Sequence, residues 1–165
     1  MWLLWGVNNS WNTVLRGQLG ASIDMLGNAM AACPGELWSD PSKRPEWNEN
    51  GVVGFWYVAY HTLFFLDLDL SGSKEAFSPP PPFNLDELDP AGLLPERPYN
   101  KDELGTYLQH CRRKARETIE GLAGDQPFEE HWLHTMRHVQ HHAAQLNLLL
   151  RLNGVAAPRW VRRAE

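Results

Sequence analysis

Residues 131–145, HWLHTMRHVQHHAAQ, hold five of the seven histidines of the chain, and their spacing decides how the rest is read. At roughly 100° per residue, a helix brings His131, His134, His138, His142 and Gln145 to within about 40° of one direction. That stripe stands where a core-facing helix would carry leucine. Burying imidazoles without partners costs roughly 1–3 kcal/mol for each unpaired polar group, so the stripe needs a partner, and a bound metal ion is the simplest. The limits of this helix are marked on both sides. Pro127 stands near the first turn, Glu129 and Glu130 lie at the positive end of the dipole, and Arg151 and Gly154 close it.

Three more helices are legible upstream, and no alternating strand pattern competes with them. From about Asn9 to Ala32, residues Trp11, Leu15, Leu19, Ile23, Leu26 and Met30 form a stripe of helical period that ends before Pro34 and Gly35. A second helix, about Gly51 to Leu70, is apolar nearly all round, as a helix buried on most sides must be, and carries His61 in its middle. The third begins at Asn100, which can cap it while Glu103 reaches back, and should end near Gly121 or Gly124. Between the second and third lies Ser71 to Tyr99, with seven of the twelve prolines, including the run Pro79 to Pro82. Such a stretch cannot be helical, and at ~3.1 Å per residue in polyproline geometry it can travel farther than the ~30 Å of a 20-residue helix. Its plain reading is a surface crossover. Cys33 to Asn50 is also long enough to recross, whereas the third-to-fourth connection is short and predicts antiparallel neighbours. The expected fold is all-α, a four-helix bundle with long crossover connections, forming one domain over residues 1–165.

Composition narrows the partners. Hydrophobic residues at 43% and charged residues at 21% are ordinary for a globular protein, and a net charge of -5 argues against nucleic acid. The opening MWLLWGVNNSW has no positive n-region and is soon interrupted by asparagines, which argues against a secretion signal. The longest apolar run, Val52 to Leu66, spans about 15 residues against the roughly 20 needed to cross a bilayer, so no membrane span is expected. Two cysteines give no disulfide framework and fit a reducing cytoplasm. Cys111 precedes Arg112, Arg113 and Lys114, a setting that can activate a thiolate. It also falls in step with Leu104, Leu108, Ala115, Thr118 and Leu122 on one helical face, which reads as a small core residue. Eight tryptophans, scattered from Trp2 to Trp160, read as packing units or cavity linings rather than a base-stacking platform.

Histidines four apart on a helix project side by side and can chelate one ion. Two such pairs exist here, His134 with His138 and His138 with His142. A third ligand must come from another helix. His61 lies in a run apolar enough to be buried, whereas His110 neighbours Gln109 and Arg112 on a more polar face. No His-Glu-x-x-His, Glu-x-x-His, Gly-x-Ser-x-Gly, phosphate loop or paired-cysteine zinc motif is present.

RHVQHHAAQLNLLLR, with His138, His142 and Gln145 in register, resembles the last-helix motif of the DinB superfamily. AYHTLFFLDLDL around His61 resembles its second-helix motif, and CPGELW, Cys33 to Trp38, after a long first helix is also similar. The likeness covers nearly the whole chain in order and spacing. It implies a four-helix bundle holding a divalent metal, usually nickel or zinc, by one histidine of helix two and two of helix four: here His61, His138 and His142. The resemblance fixes no role for His134 or His131, which with Gln145 are candidates to line a pocket, and His141, turned about 60° from the stripe, reads as a surface residue.

Three neutral imidazoles leave the ion's charge uncompensated and coordination positions open, the arrangement of catalytic rather than structural sites. Such a centre could lower the pKa of water toward ~7 or hold a thiol as thiolate. Each ligand's second ring nitrogen needs an acceptor, for which Asp24, Asp67, Asp69 or a backbone carbonyl are available. By resemblance, the expected activity is thiol-dependent transfer or hydrolysis of a small molecule, with a low-molecular-weight thiol as co-substrate. Relatives are commonly homodimers, and an apolar patch on helix one would support one. The alternative is a non-catalytic metal-binding or stress-related module with a protein partner.

Overall fold

The computed structural model describes residues 11–40, 54–122 and 130–164. Among them the chain forms α-helices and one described 3-10 turn, with no strand. The helices are α1 (Trp11–Ala32), α2 (Gly35–Trp38), α3 (Phe55–Ser71), α4 (Lys101–Glu120) and α5 (Glu130–Leu152), and the 3-10 turn covers Asp86–Leu88. The four long helices are those expected; α2, a single turn within the CPGELW stretch, is additional. The expected helix starts at Asn9 and Gly51, the alternative stop at Gly124, and the start signals Pro127 and Glu129 lie outside the described residues.

Local chemistry sets the ends. At α4 the Asn100 side chain accepts from the Glu103 N–H at 2.9 Å while the Glu103 carboxylate accepts from the Asn100 N–H at 2.8 Å, the expected capping box. At α5 the Val155 N–H reaches the Leu150 carbonyl and the Gly154 N–H that of Arg151, a Schellman closure. It requires the left-handed φ of 75° that Gly154 supplies.

The helices pack in the cyclic order α1, α4, α3, α5. Direction follows from who touches whom. The beginnings of α3 and α4 meet through Tyr60 and Tyr99, with ring centroids 4.9 Å apart, and their later turns through Lys114 on Ser71 at 2.6 Å, so these two helices run parallel. Residues 72–100 carry the chain back between them. On α3 and α5 the Thr135 hydroxyl donates to Asp69 at 2.8 Å while His61 faces His142, so this pair is antiparallel. One expectation is corrected: α4 and α5 stand on the diagonal of the ring, not side by side. Their facing stripes are taken up by α1 and α3, so a short connection here did not mean contact.

α3 sits at the centre of the apolar packing, with no exposed residue from 54 to 70. The crossover covers the side that helices leave open, through Phe77 against Phe64 at 4.9 Å and Phe83 against Tyr60 at 5.8 Å. Trp38, Trp56 and Trp132 are buried packing units, while Trp11, expected in the first stripe's core face, and Trp160 are exposed. Cys111 is fully buried, and burial drives its thiol well above the ordinary range, which suits a core residue rather than a nucleophile. No helix is long and apolar enough to cross a membrane among the described residues.

Asp67 is the polar exception inside α3. Completely buried, it accepts from Lys114 Nζ at 2.5 Å and from the Tyr107 hydroxyl at 3.1 Å, with His110 Nε2 at 3.2 Å. Removing the carboxylate would strand these groups. Asp67→Ala should cost about 3 kcal/mol, the low end for a broken buried pair because Lys114 is partly exposed. Urea unfolding checks this.

Candidate metal centre

His61 occupies the half-buried flank of α3, bracketed one turn on either side by Tyr57 and Phe65. The antiparallel α5 passes this flank and sets His138 and His142 opposite it. Ring centroids are 5.5 Å apart for His61 and His138, 5.0 Å for His61 and His142, and 4.5 Å for His138 and His142. One ligand atom from each of the three lies within 4.8 Å of the others. The three histidines singled out from the sequence therefore converge.

The donor set fits a divalent ion. Nε2 of His138 and Nε2 of His142 are 3.1 Å apart, the separation of two nitrogens each ~2.0–2.1 Å from a common ion at an angle of roughly 100°. Acceptors on the far ring nitrogens fix the tautomers. His142 Nδ1 meets Gln145 Oε1 at 2.6 Å and His61 Nδ1 meets Glu87 Oε2 at 2.8 Å, so that in the neutral, ligating form each ring would present Nε2, directed away from the acceptor. His138 is pushed down to about 3, first by burial and then by His142 and His61; His142 goes down to about 4, mainly through burial. Both rings are neutral at pH 7, the form that ligates.

Glu87 is the residue the sequence did not single out. It rides on the Asp86–Leu88 turn of the crossover, and its side chain is only 5% exposed. Its other oxygen, Oε1, is buried without a hydrogen-bond partner, and burial together with the Glu87 carboxylate pushes the phenol of Tyr57 up. In sequence it is one of several acids in NLDELD, and no spacing distinguishes it. The aspartates considered for this role serve elsewhere: Asp24 pairs with Arg112 at 2.8 Å, Asp67 with Lys114, and Asp69 accepts from Thr135.

The remaining stripe residues separate. Gln145 Oε1 meets His142 Nδ1 at 2.6 Å and so holds that ring. His134 is exposed, its ring stacked over His138 at 6.3 Å and its Nδ1 3.9 Å from Asp69. His131 is exposed beside Trp132 and stands away from the three-histidine group. His110 is held by Asp67, outside the centre as expected. The buried face of α5 is Trp132, Thr135, Val139, His142, Ala143, Leu146 and Leu150, so the histidine stripe lies roughly 90° from the core direction and shares only His142 with it. The expectation that the whole stripe replaces core leucines is corrected: it forms the border between core and surface. A surface cavity of about 560 Å³ runs along the outer side of α5 past His134, Arg137, His138 and His141; of the three clustered histidines it includes His138 and not His61 or His142.

No family model, curated protein or solved structure matches the chain.

His61→Ala or His138→Ala should lower affinity for nickel or zinc by at least an order of magnitude. Glu87→Ala should lower it roughly 10- to 100-fold through the tautomer and orientation of His61, while His110→Ala leaves it unchanged. Competition titration against a chromophoric chelator measures all four.

Proposed function

We propose that this chain is a DinB-like metal-dependent protein of the cytoplasm, in which His61, His138 and His142 hold a divalent ion, nickel or zinc, for thiol-dependent transfer or hydrolysis of a small molecule. The observation that carries the reading is the convergence of three imidazoles from two helices, two of them with an acceptor on Nδ1. The crossover between parallel α3 and α4 and the motifs around His61, His138 and Cys33 support the family assignment. When bound, the ion supplies Lewis acidity toward a thiol or water.

The chain's own residues supply the rest. Glu87 and Gln145 hold two rings in the ligating tautomer. Phe65 packs on both His61 and His138, at 4.7 and 5.8 Å between ring centroids, and keeps that side dry. Arg137 and the exposed His134 lie beside His138 on the solvent side of α5, where Arg137 would pair with an anionic group on a substrate. In the transfer, the thiol gives its proton to solvent, its sulfur forms the new bond to the electrophilic carbon, and the leaving group departs with the electron pair. All three ligands come from one chain, so a homodimer is not needed to complete the centre.

Protein purified without a histidine-affinity resin should carry about one nickel or zinc per chain by elemental analysis. It should catalyse transfer from a panel of low-molecular-weight thiols to electrophilic acceptors, and chelation or His138→Ala should abolish that turnover. Stoichiometric metal with no turnover on the panel would favour the non-catalytic metal-binding module with a protein partner. Absence of metal in protein grown with both ions would overturn the centre itself.

A further inference from the structure

On the opposite side of the helix ring, in the groove between α1 and α4, the chain gathers positive charge. A cavity of about 370 Å³ is bordered by Arg16 of α1, Arg112 and Arg116 one turn apart on α4, and Arg163 of the C-terminal segment. The segment is seated firmly: the Ala164 N–H donates to the Gly17 carbonyl at 2.9 Å, and a Cβ at Gly20 would lie 2.7 Å from that of Ala164. Four guanidinium groups share this lining with one carboxylate, Asp24, in a chain whose net charge is -5. Among the described residues this charge is incompletely neutralised. Arg112 meets Asp24 at 2.8 Å, and Arg16 approaches Glu120 only at 3.8 Å with both side chains more than half exposed. Arg163 is tied to the Thr13 carbonyl, an uncharged acceptor, at 3.2 Å. Arg116 has no ion pair among the described residues. The Nε of Arg112 is buried with no hydrogen-bond partner, although a buried donor left unpaired costs stability.

We infer that this cavity is a binding site for a phosphate-bearing small molecule. Guanidinium forks match phosphate oxygens two at a time, and a tetrahedral dianion can accept from several forks at once where a carboxylate occupies one. The volume falls within the range of small-ligand pockets and exceeds what a bare phosphate fills, leaving room for an organic group on the ester. The site is independent of the three-histidine centre, which lies between α3 and α5.

Isothermal titration of the full-length, metal-loaded protein at low ionic strength with inorganic phosphate and with glycerol 3-phosphate tests the inference, with chloride matched in ionic strength as the control anion. Saturable binding of at least one phosphate probe is expected. It should be weakened roughly tenfold or more by Arg116→Ala, whose side chain is exposed and dispensable for packing, and by Arg112→Lys, which removes the fork. It should be unchanged by His138→Ala, which separates it from anion binding at the metal centre. Tighter binding of the ester identifies a phosphorylated organic ligand, and equal binding identifies the phosphate group alone as the recognised element. No saturable binding, binding unaffected by both arginine variants, or binding lost with His138→Ala would overturn the site.

Discussion

A helix that is apolar on every side must be covered on every side, and α3 places that demand on the whole chain. α4 and α5 take two flanks of it. A further side falls to the crossover, whose Phe77, Phe83 and Tyr99 close over Phe64 and Tyr60. Burying each such aromatic side chain contributes roughly 1.5–3 kcal/mol, so the crossover is held by packing although it contains almost no regular structure. The parallel course of α3 and α4 follows, because the segment that covers α3 has to travel its length before α4 can begin.

The same covering builds the three-histidine group. His61 stands on the least covered flank of α3, where α5 passes, and the antiparallel pairing sets two successive turns of α5 across from it. The crossover then delivers Glu87 to the back of the His61 ring. A carboxylate that is 5% exposed, with one oxygen unpartnered, is costly on its own account. Its position is intelligible as part of a polar unit with His61 and Tyr57, assembled where the covering segment meets the half-buried flank of the helix.

Periodicity and end signals made the helices legible: the Asn100 box, the closing Gly154, and the leucine stripe of α1 all lie where their chemistry requires. The histidine stripe was legible as a stripe but not as to its depth. Side-chain spacing fixes relative angles on a helix and says nothing of where the core lies, and on α5 the core direction is set by Val139, Ala143, Leu146 and Leu150. The diagonal placement of α4 and α5 is a tertiary choice that loop length does not determine. Glu87 lay beyond reach for a related reason. Its partner is 26 residues away in sequence and meets it only after the crossover has folded back.

In the proposed metal-loaded state, the charge at the centre follows from its neighbours. Imidazole ligands bind in their neutral form and contribute none, the form in which burial keeps His138 and His142, and the Glu87 carboxylate stands one ring behind His61. A divalent ion would thus retain a net positive charge of about one, undiluted by any carboxylate ligand. A negative group reaching the ion would be favoured over a neutral one, and Arg137, near His138 on the solvent side of α5, would act in the same sense. A thiol bound at such an ion would lose its proton more readily than in water, and the desolvation that depresses the histidine pKa values would strengthen the attraction between its sulfur and the ion. The arrangement that keeps His138 and His142 neutral would, in that proposed state, also favour an anionic nucleophile.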